Sequence, residues 1–327
     1  ANSVITGCIA TRNVNYGVQT ADGCVVAATT SADNMLSGVM TGEGCAMRAV
    51  TARANHVAGT VGQFDDPFGG VVGGPANVIT ESAAYDNIGA GITMDNYSVV
   101  DRCSAYRNGR LDDFPPMAQR GFTRFEEYQN VAGISADDAS VVHGSSAGEN
   151  FGAGIVVDRH CAVLHCSATS NRPFAVGMER GSVFGLGFVL EFGSLGHHCA
   201  ASRNSFDGFE AGSRVSLMSC NADSNGSIGF DVGSDCYVRN NTAARNGPIF
   251  ASRGSGFIPG YDTGGDCRIE ENHSALHAIG FDIGSGSFTL SNSAYQNSQT
   301  GYQINAPGIF NIETSAANLD PGESIER

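Results

Sequence analysis

The chain has 327 residues, with 33 Asp and Glu against 18 basic side chains, all of them Arg, and a formal net charge of −15. An acidic chain with scattered Arg excludes binders of nucleic acid or anionic membrane, which need clustered positive charge, and the lack of Lys excludes Schiff-base chemistry and a Walker-type phosphate grip. No apolar run approaches the ~20 residues of a membrane span, and Ala1-Asn2-Ser3-Val4 lacks the basic-then-apolar start of a signal peptide, although a leader removed ahead of Ala1 would leave the same start.

In chain order one motif recurs: small-x-x-Asn-x-x-x-Gly-apolar. It reads Ala10…Asn13…Gly17-Val18, Ser31…Asn34…Gly38-Val39, Ala52…Asn55, Ala84…Asn87…Gly91-Ile92, Ala105…Asn108, Ala147…Asn150…Gly154-Ile155 and Ala168…Asn171. The second half continues Ala201…Asn204…Gly208-Phe209, Ala222…Asn225…Gly229-Phe230, Ala243…Asn246, Ala294…Asn297…Gly301-Tyr302 and Ser315…Asn318, with Ala275…Gly280-Phe281 lacking the Asn. Where nothing is inserted the period is 21 residues, as from Gly17 to Gly38 and from Gly208 to Gly229. The step from Gly to the next small residue is 14, except 19 from Gly256 to Ala275. A fixed period of this size means a stack of units, each burying its apolar face on the next.

Apolar residues alternate within a unit, as in Gly229-Phe230-Asp231-Val232-Gly233, which is strand periodicity, and no unit holds a helical pattern. Each unit therefore reads as one coil of short strands joined by Gly, Asn, Ser and Asp turns, with equivalent positions about 4.8 Å apart. The residue after each Gly forms an inward file: Val18, Val39, Val71, Ile92, Ile134, Ile155, Phe188, Phe209, Phe230, Phe257, Phe281, Tyr302. Each buried rung contributes about 1.5–3 kcal/mol. The Asn file falls at a turn, where Asn tolerates the left-handed conformation, and stacked amides bond from coil to coil.

Cysteine forms two further files. Cys8, Cys103, Cys166, Cys199 and Cys220 lie two residues before the small residue; Cys24, Cys45, Cys161 and Cys236 lie seven before it, and Cys267 eight. Ten Cys without a CxxC argue against a zinc ribbon or a disulfide scaffold and read as small buried hydrophobes. The trio Cys166, Cys199 and Cys220 on successive coils also admits a disulfide.

From Val4 to about Asn318 the Gly-Phe-Asp-Val-Gly-Ser and Ala-x-x-Asn units resemble the right-handed parallel β-helix proteins, the pectate-lyase-like superfamily. The resemblance implies an all-β, right-handed parallel β-helix solenoid of about 13 coils, roughly 21 residues each. The superfamily holds polysaccharide lyases, polygalacturonase-like hydrolases, alginate epimerases, phage tailspikes and adhesins. The Tyr-Gly-Phe-Asp-Pro-His run of alginate epimerases and the Asn-Thr-Asp plus Arg-Ile-Lys pattern of polygalacturonases are missing, so no subfamily is assigned.

A single domain is expected over 1–318, with a polar tail at 319–327 and lateral insertions at 56–69, 109–132, 172–186 and 247–255. All four leave the same corner and so line one edge, as a groove wall or by drift at a tolerant turn. They supply mixed Arg, carboxylate and aromatic residues suited to a sugar or uronate: Asp112, Asp113 and Arg124 in the second, Arg180 in the third, Arg253 in the fourth.

The outward file, two after each Gly, reads Gln19, Met40, Val72, Thr93, Ser135, Val156, Val189, Glu210, Asp231, Ile258, Asp282, Gln303. Glu210 and Asp231 fall on adjacent coils about 5 Å apart, a separation that suits acid and nucleophile in glycoside cleavage or half of a Ca²⁺ site, and Asp282 extends the strip; a solvated acidic face is the plainer reading. No cofactor is required, Ca²⁺ being the one that Glu210 and Asp231 would accept. His165 and His198 share an offset on adjacent coils, as a metal pair or as surface residues.

Two functions compete: a polysaccharide-processing enzyme (lyase, epimerase or glycoside hydrolase), and a non-catalytic carbohydrate-binding or structural rod of the tailspike, adhesin or surface-assembly kind. Either acts on a polysaccharide or oligosaccharide, outside the cell or on a cell or virion surface, with homo-oligomers expected of the rod.

Overall fold

A computed structural model describes residues 2–55, 69–109, 131–173, 185–247, 259–298, 300–305 and 309–316. The described strands form two sheets of 24 and 12 strands, with every pairing parallel. One coil contributes two three-residue strands to the first sheet and one to the second, as in Leu195–His197, Ala200–Ser202 and Phe209–Ala211. The last two passes through the first sheet are the unbroken strands Phe288–Tyr295 and Ile309–Ala316. Equivalent residues one period apart are register partners, as in Phe209 opposite Phe230 and Ala201 opposite Ala222.

The strands are short because each three-residue strand of the first sheet is followed by a single left-handed residue. On one coil these are His198 (φ 53°) and Arg203 (φ 56°). An L-residue there costs about 1–2 kcal/mol, which is offset because its N–H still bonds the coil above: His198 N donates to Met218 O at 3.1 Å, and Arg203 N to Asp223 O at 3.1 Å. The left-handed residue thus precedes the Asn, contrary to the expectation that Asn itself adopts this conformation.

Asn serves the stack through its side chain. The backbone N and Nδ2 of Asn204 both donate to Oδ1 of Asn225, at 3.1 and 2.9 Å, and those of Asn225 to Oδ1 of Asn246, both at 2.9 Å. The file runs back without a break to Asn13. In the unit that lacks an Asn, buried His277 takes the place: its Nε2 lies 3.1 Å from Asn246 Nδ2, and its N donates to Asn297 Oδ1 at 3.1 Å.

Inside, the aliphatic file gives way to stacked rings. Phe188, Phe209, Phe230, Tyr261, Phe281 and Tyr302 follow at centroid spacings of 4.7, 4.8, 4.9, 4.6 and 5.1 Å, near the strand spacing itself. The ring between Phe230 and Phe281 is Tyr261, not Phe257: the register pairs Phe230 with Tyr261 and Tyr261 with Phe281. The repeating glycine of that coil is therefore Gly260, not Gly256, and the stretch between Asn246 and the repeat is longer than expected. The small residue that follows is Ser274, which pairs with Ala243 and Ala294. Counted from Ser274, the step from Gly260 is the usual 14 and Cys267 stands at the usual seven.

Nine of the ten cysteines are buried and Cys8 is exposed; all ten are free thiols. Cys199 Sγ lies 3.3 Å from Val163 O and 3.4 Å from His197 O, and Cys166, Cys199 and Cys220 are all free and buried, so that trio packs as thiols.

Candidate active site

In each second-sheet strand the residue after the inward-file residue points outward, and these residues form one in-register file. Gln19 at its start is exposed and Met40 and Thr93 are half-buried, whereas Val72 is 7% exposed, Ser135 and Val156 0%, and Val189 2%. Val156 and Val189 join Val131, Ala132, Ala153 and Leu186 in a small apolar cluster outside the main core. From the next coil the file turns acidic. Glu210 pairs with Asp231, Asp231 with Asp262, and Asp262 with Asp282, all half-buried. Four carboxylates thus stand on consecutive coils about 4.8 Å apart. The expected rung Ile258 is replaced by Asp262.

Two residues further along each strand lies a second file. It reads Asp95, Asp137, Asp158 and Glu191, whose amides bond the coil below in the pattern shared by Gly212, Gly233, Gly264 and Gly284. Eight successive coils therefore each carry one carboxylate, four in the second file and then four in the first. Beside the later four lies a glycine floor. A Cβ on Gly233 would stand 2.8 Å from the carbonyl carbon of Gly212, and one on Gly264 2.8 Å from that of Gly233. No side chain fits there, so the floor is bare backbone. A Cβ on Gly212 would meet Glu191 Oε2 at 3.3 Å, which places that carboxylate at the head of the floor.

Asp207 completes the site. It lies three residues before Glu210 and is 2% exposed. Its Oδ1 accepts from Ile228 N at 2.7 Å, and its carboxyl hydrogen-bonds Ser227. Burial pushes its carboxyl up to about 7; the two hydrogen bonds oppose this, and the charges of Asp231 and Glu210 add to it. Asp262 is also raised by burial, and Asp282 by burial and then by Asp262. Asp158 is raised by burial and then by Asp138. Asp207 thus ionises near neutral pH beside Glu210 and Asp231, a property suited to acid–base chemistry.

Of the residues singled out from sequence, Glu210, Asp231 and Asp282 share this face. Arg124, Arg180, Arg253, Asp112 and Asp113 lie outside the described residues. Asp262 and Asp207 are additions. Asp262 has a readable signal, since Gly260-Tyr261-Asp262-Thr263-Gly264 repeats the pattern of Gly229–Gly233 and Gly280–Gly284. Asp207 has none, because its burial comes from corner packing. Among the described residues no group of three or more His, Cys, Asp or Glu is arranged to hold a metal ion.

No protein-family model and no curated protein matches the chain. Solved structures do. The surface adhesin PfbA of Streptococcus pneumoniae superposes with a TM-score of 0.53 at 10% identity, over 94% of this chain and 85% of that one. The fold is the right-handed parallel β-helix. A mannuronan C-5 epimerase A-module of Azotobacter vinelandii gives 0.47 at 14% identity over 96% and 88% of the two chains. An alginate lyase from a Paenibacillus species gives 0.41 at 11% over 93% and 99%. At these identities the likeness is one of β-helix architecture alone.

Proposed function

We propose that this β-helix is a polysaccharide-processing enzyme that hydrolyses glycosidic bonds in an extended glycan laid along the glycine floor. The observation that carries the reading is Asp207, a buried carboxyl that keeps its proton to about pH 7 beside Glu210 and Asp231. Glu210 and Asp231, one strand spacing apart, approach the ~5–5.5 Å separation of an acid and a nucleophile in retaining cleavage. One protonates the glycosidic oxygen as the other attacks the anomeric carbon; water then releases the sugar. Asp207 acts on the pair as a positioning group that stores a proton.

The carboxylate track repels uronates, so a neutral glycan is the favoured substrate, and lyase or epimerase chemistry is disfavoured with it. Ca²⁺ at Glu210 and Asp231 would relax that restriction by neutralising the pair. Such a substrate fits a protein that works outside the cell or on a cell or virion surface.

The test is a panel of neutral and acidic polysaccharides, assayed for reducing ends and for unsaturated-uronate absorbance, with and without EDTA. Reducing ends from a neutral glycan are expected, falling about a hundredfold or more in Glu210→Gln and Asp231→Asn. Unchanged activity in both variants sinks the site. No turnover by wild type sinks the enzyme and leaves the second reading, a carbohydrate-binding or structural rod, which the likeness in fold to a surface adhesin supports. For that rod a defined homo-oligomer by light scattering is expected.

A further inference from the structure

Four imidazoles crowd one corner on the outside of the first sheet. His143 and His197 end the strands Val141–His143 and Leu195–His197, and His165 and His198 are the left-handed residues at the same corner of adjacent coils (φ 54° and 53°). His165 is central. Its ring centroid lies 5.6 Å from that of His143, 6.0 Å from His197 and 5.1 Å from His198, the last pair stacked at 16°. His197 and His198 are 4.0 Å apart. The sequence shows why they meet. His165 and His198 stand three before their small residues Ala168 and Ala201, while His143 and His197 stand four before Ala147 and Ala201.

One member is already held by a carboxylate. His143 Nδ1 lies 2.8 Å from Asp101 Oδ1, which fixes the ring and leaves Nε2 free. A carboxylate behind an imidazole is the usual outer support of a metal-bound histidine. Asp101 in turn pairs with Arg102 at 3.1 Å, and Arg102 with Glu81 of the preceding coil at 3.4 Å, so that guanidinium is engaged on the side away from His165 and His198. His165 and His198 are exposed and His197 is half-buried, so these three rings have room to turn toward the held ring of His143.

We propose that this cluster, centred on His165, binds one late first-row transition-metal ion, such as copper(II), nickel(II) or zinc(II), through two or three imidazoles. Imidazole suits these ions, whereas the carboxylate track offers the oxygen donors of Ca²⁺ and Mg²⁺. The ring nitrogens do not yet converge on one point, in keeping with the lack of a prearranged cluster of three among the described residues. The ion gathers the rings by side-chain rotation, and water fills the remaining positions.

Titrating tag-free protein with copper(II) and zinc(II) by calorimetry, with copper(II) spin resonance to detect nitrogen ligands, tests the site. Saturable binding of one ion is expected. His165→Asn, which suits the left-handed backbone, should weaken it about tenfold or more, and His198→Asn should also weaken it. His160→Asn, a ring packed against Phe192 outside the cluster, should leave it unchanged. Absence of saturable binding, wild-type affinity in both cluster variants, or an equal loss in His160→Asn overturns the proposal.

Discussion

Asp207 and His277 are both buried titratable groups, and their effects on stability run in opposite directions with pH. Asp207 keeps its proton to about pH 7 in the fold, whereas an unfolded Asp gives it up near 4, so stability is highest below that range and falls as pH rises from about 4 to about 7. The whole effect is on the order of 4 kcal/mol. Asp207→Asn keeps an acceptor for Ile228 N and removes the titration; its thermal midpoint should exceed that of wild type at pH 8 and match it near pH 4. If Asp207 serves the pair, the same variant loses its activity dependence around pH 7; an unaltered pH–rate profile would confine the residue to structure. His277 is held down to about 4, mainly by burial, so its ring stays uncharged inside the Asn file. The unfolded chain takes up that proton from about pH 6.5, so stability is full above 6.5 and is lost as pH falls toward 4, by about 3 kcal/mol. His277→Asn should flatten the unfolding free energy across this window, and a slope equal to wild type would contradict the assignment.

At the scale of the strand and its corner, the side-chain amides tie the coils together. Asn225 Nδ2 donates to Asn246 Oδ1 and to Ala201 O at 3.2 Å, and its Oδ1 accepts twice from Asn204. Asn225→Ala strands several buried groups at once, at about 1–3 kcal/mol each. Denaturant titration should show a loss of about 3 kcal/mol or more, and a loss below about 1 kcal/mol would mean that water replaces the amide. Much of this layer is legible in sequence. A 21-residue period with alternating apolar residues fixes the strand type, the inward file and the offset of Glu210 and Asp231. The reading slips at one coil, where Gly256-Phe257-Ile258 imitates the motif and Gly260-Tyr261-Asp262 supplies it; only ring stacking between Phe230 and Phe281 decides. The Asn role was half legible, since spacing locates the file but not which residue takes the left-handed corner. The histidine corner was half legible: His165 and His198 share an offset, but His143 and His197 stand one residue earlier, with Leu164 in the rung between them. Asp207 stays hidden because no period reports how deeply a corner is packed.

Across the whole molecule the charges are unevenly placed. Exposed pairs such as Arg48–Glu81 and Arg245–Asp223 clamp adjacent coils, but pairs of this kind are worth only about 0–1 kcal/mol each. The carboxylate track and the net charge of −15 act against the fold over a longer range. Monovalent salt screens both, and the repulsion is the larger quantity, so raising it from about 0.05 to 0.5 M should raise the thermal midpoint; a fall would show that the ion pairs dominate. The register has one last consequence. Because Asn204 and Asn225 occupy the same rung one coil apart, the backbone leaves each in the same place and direction. Excising the 21 residues Ser205–Asn225 would seat the Asp231 coil directly on the Val189 coil with every joint intact. Chain length then becomes a dial: genes could lengthen or shorten such a track by whole modules, adjusting its reach while leaving each surviving rung unaltered.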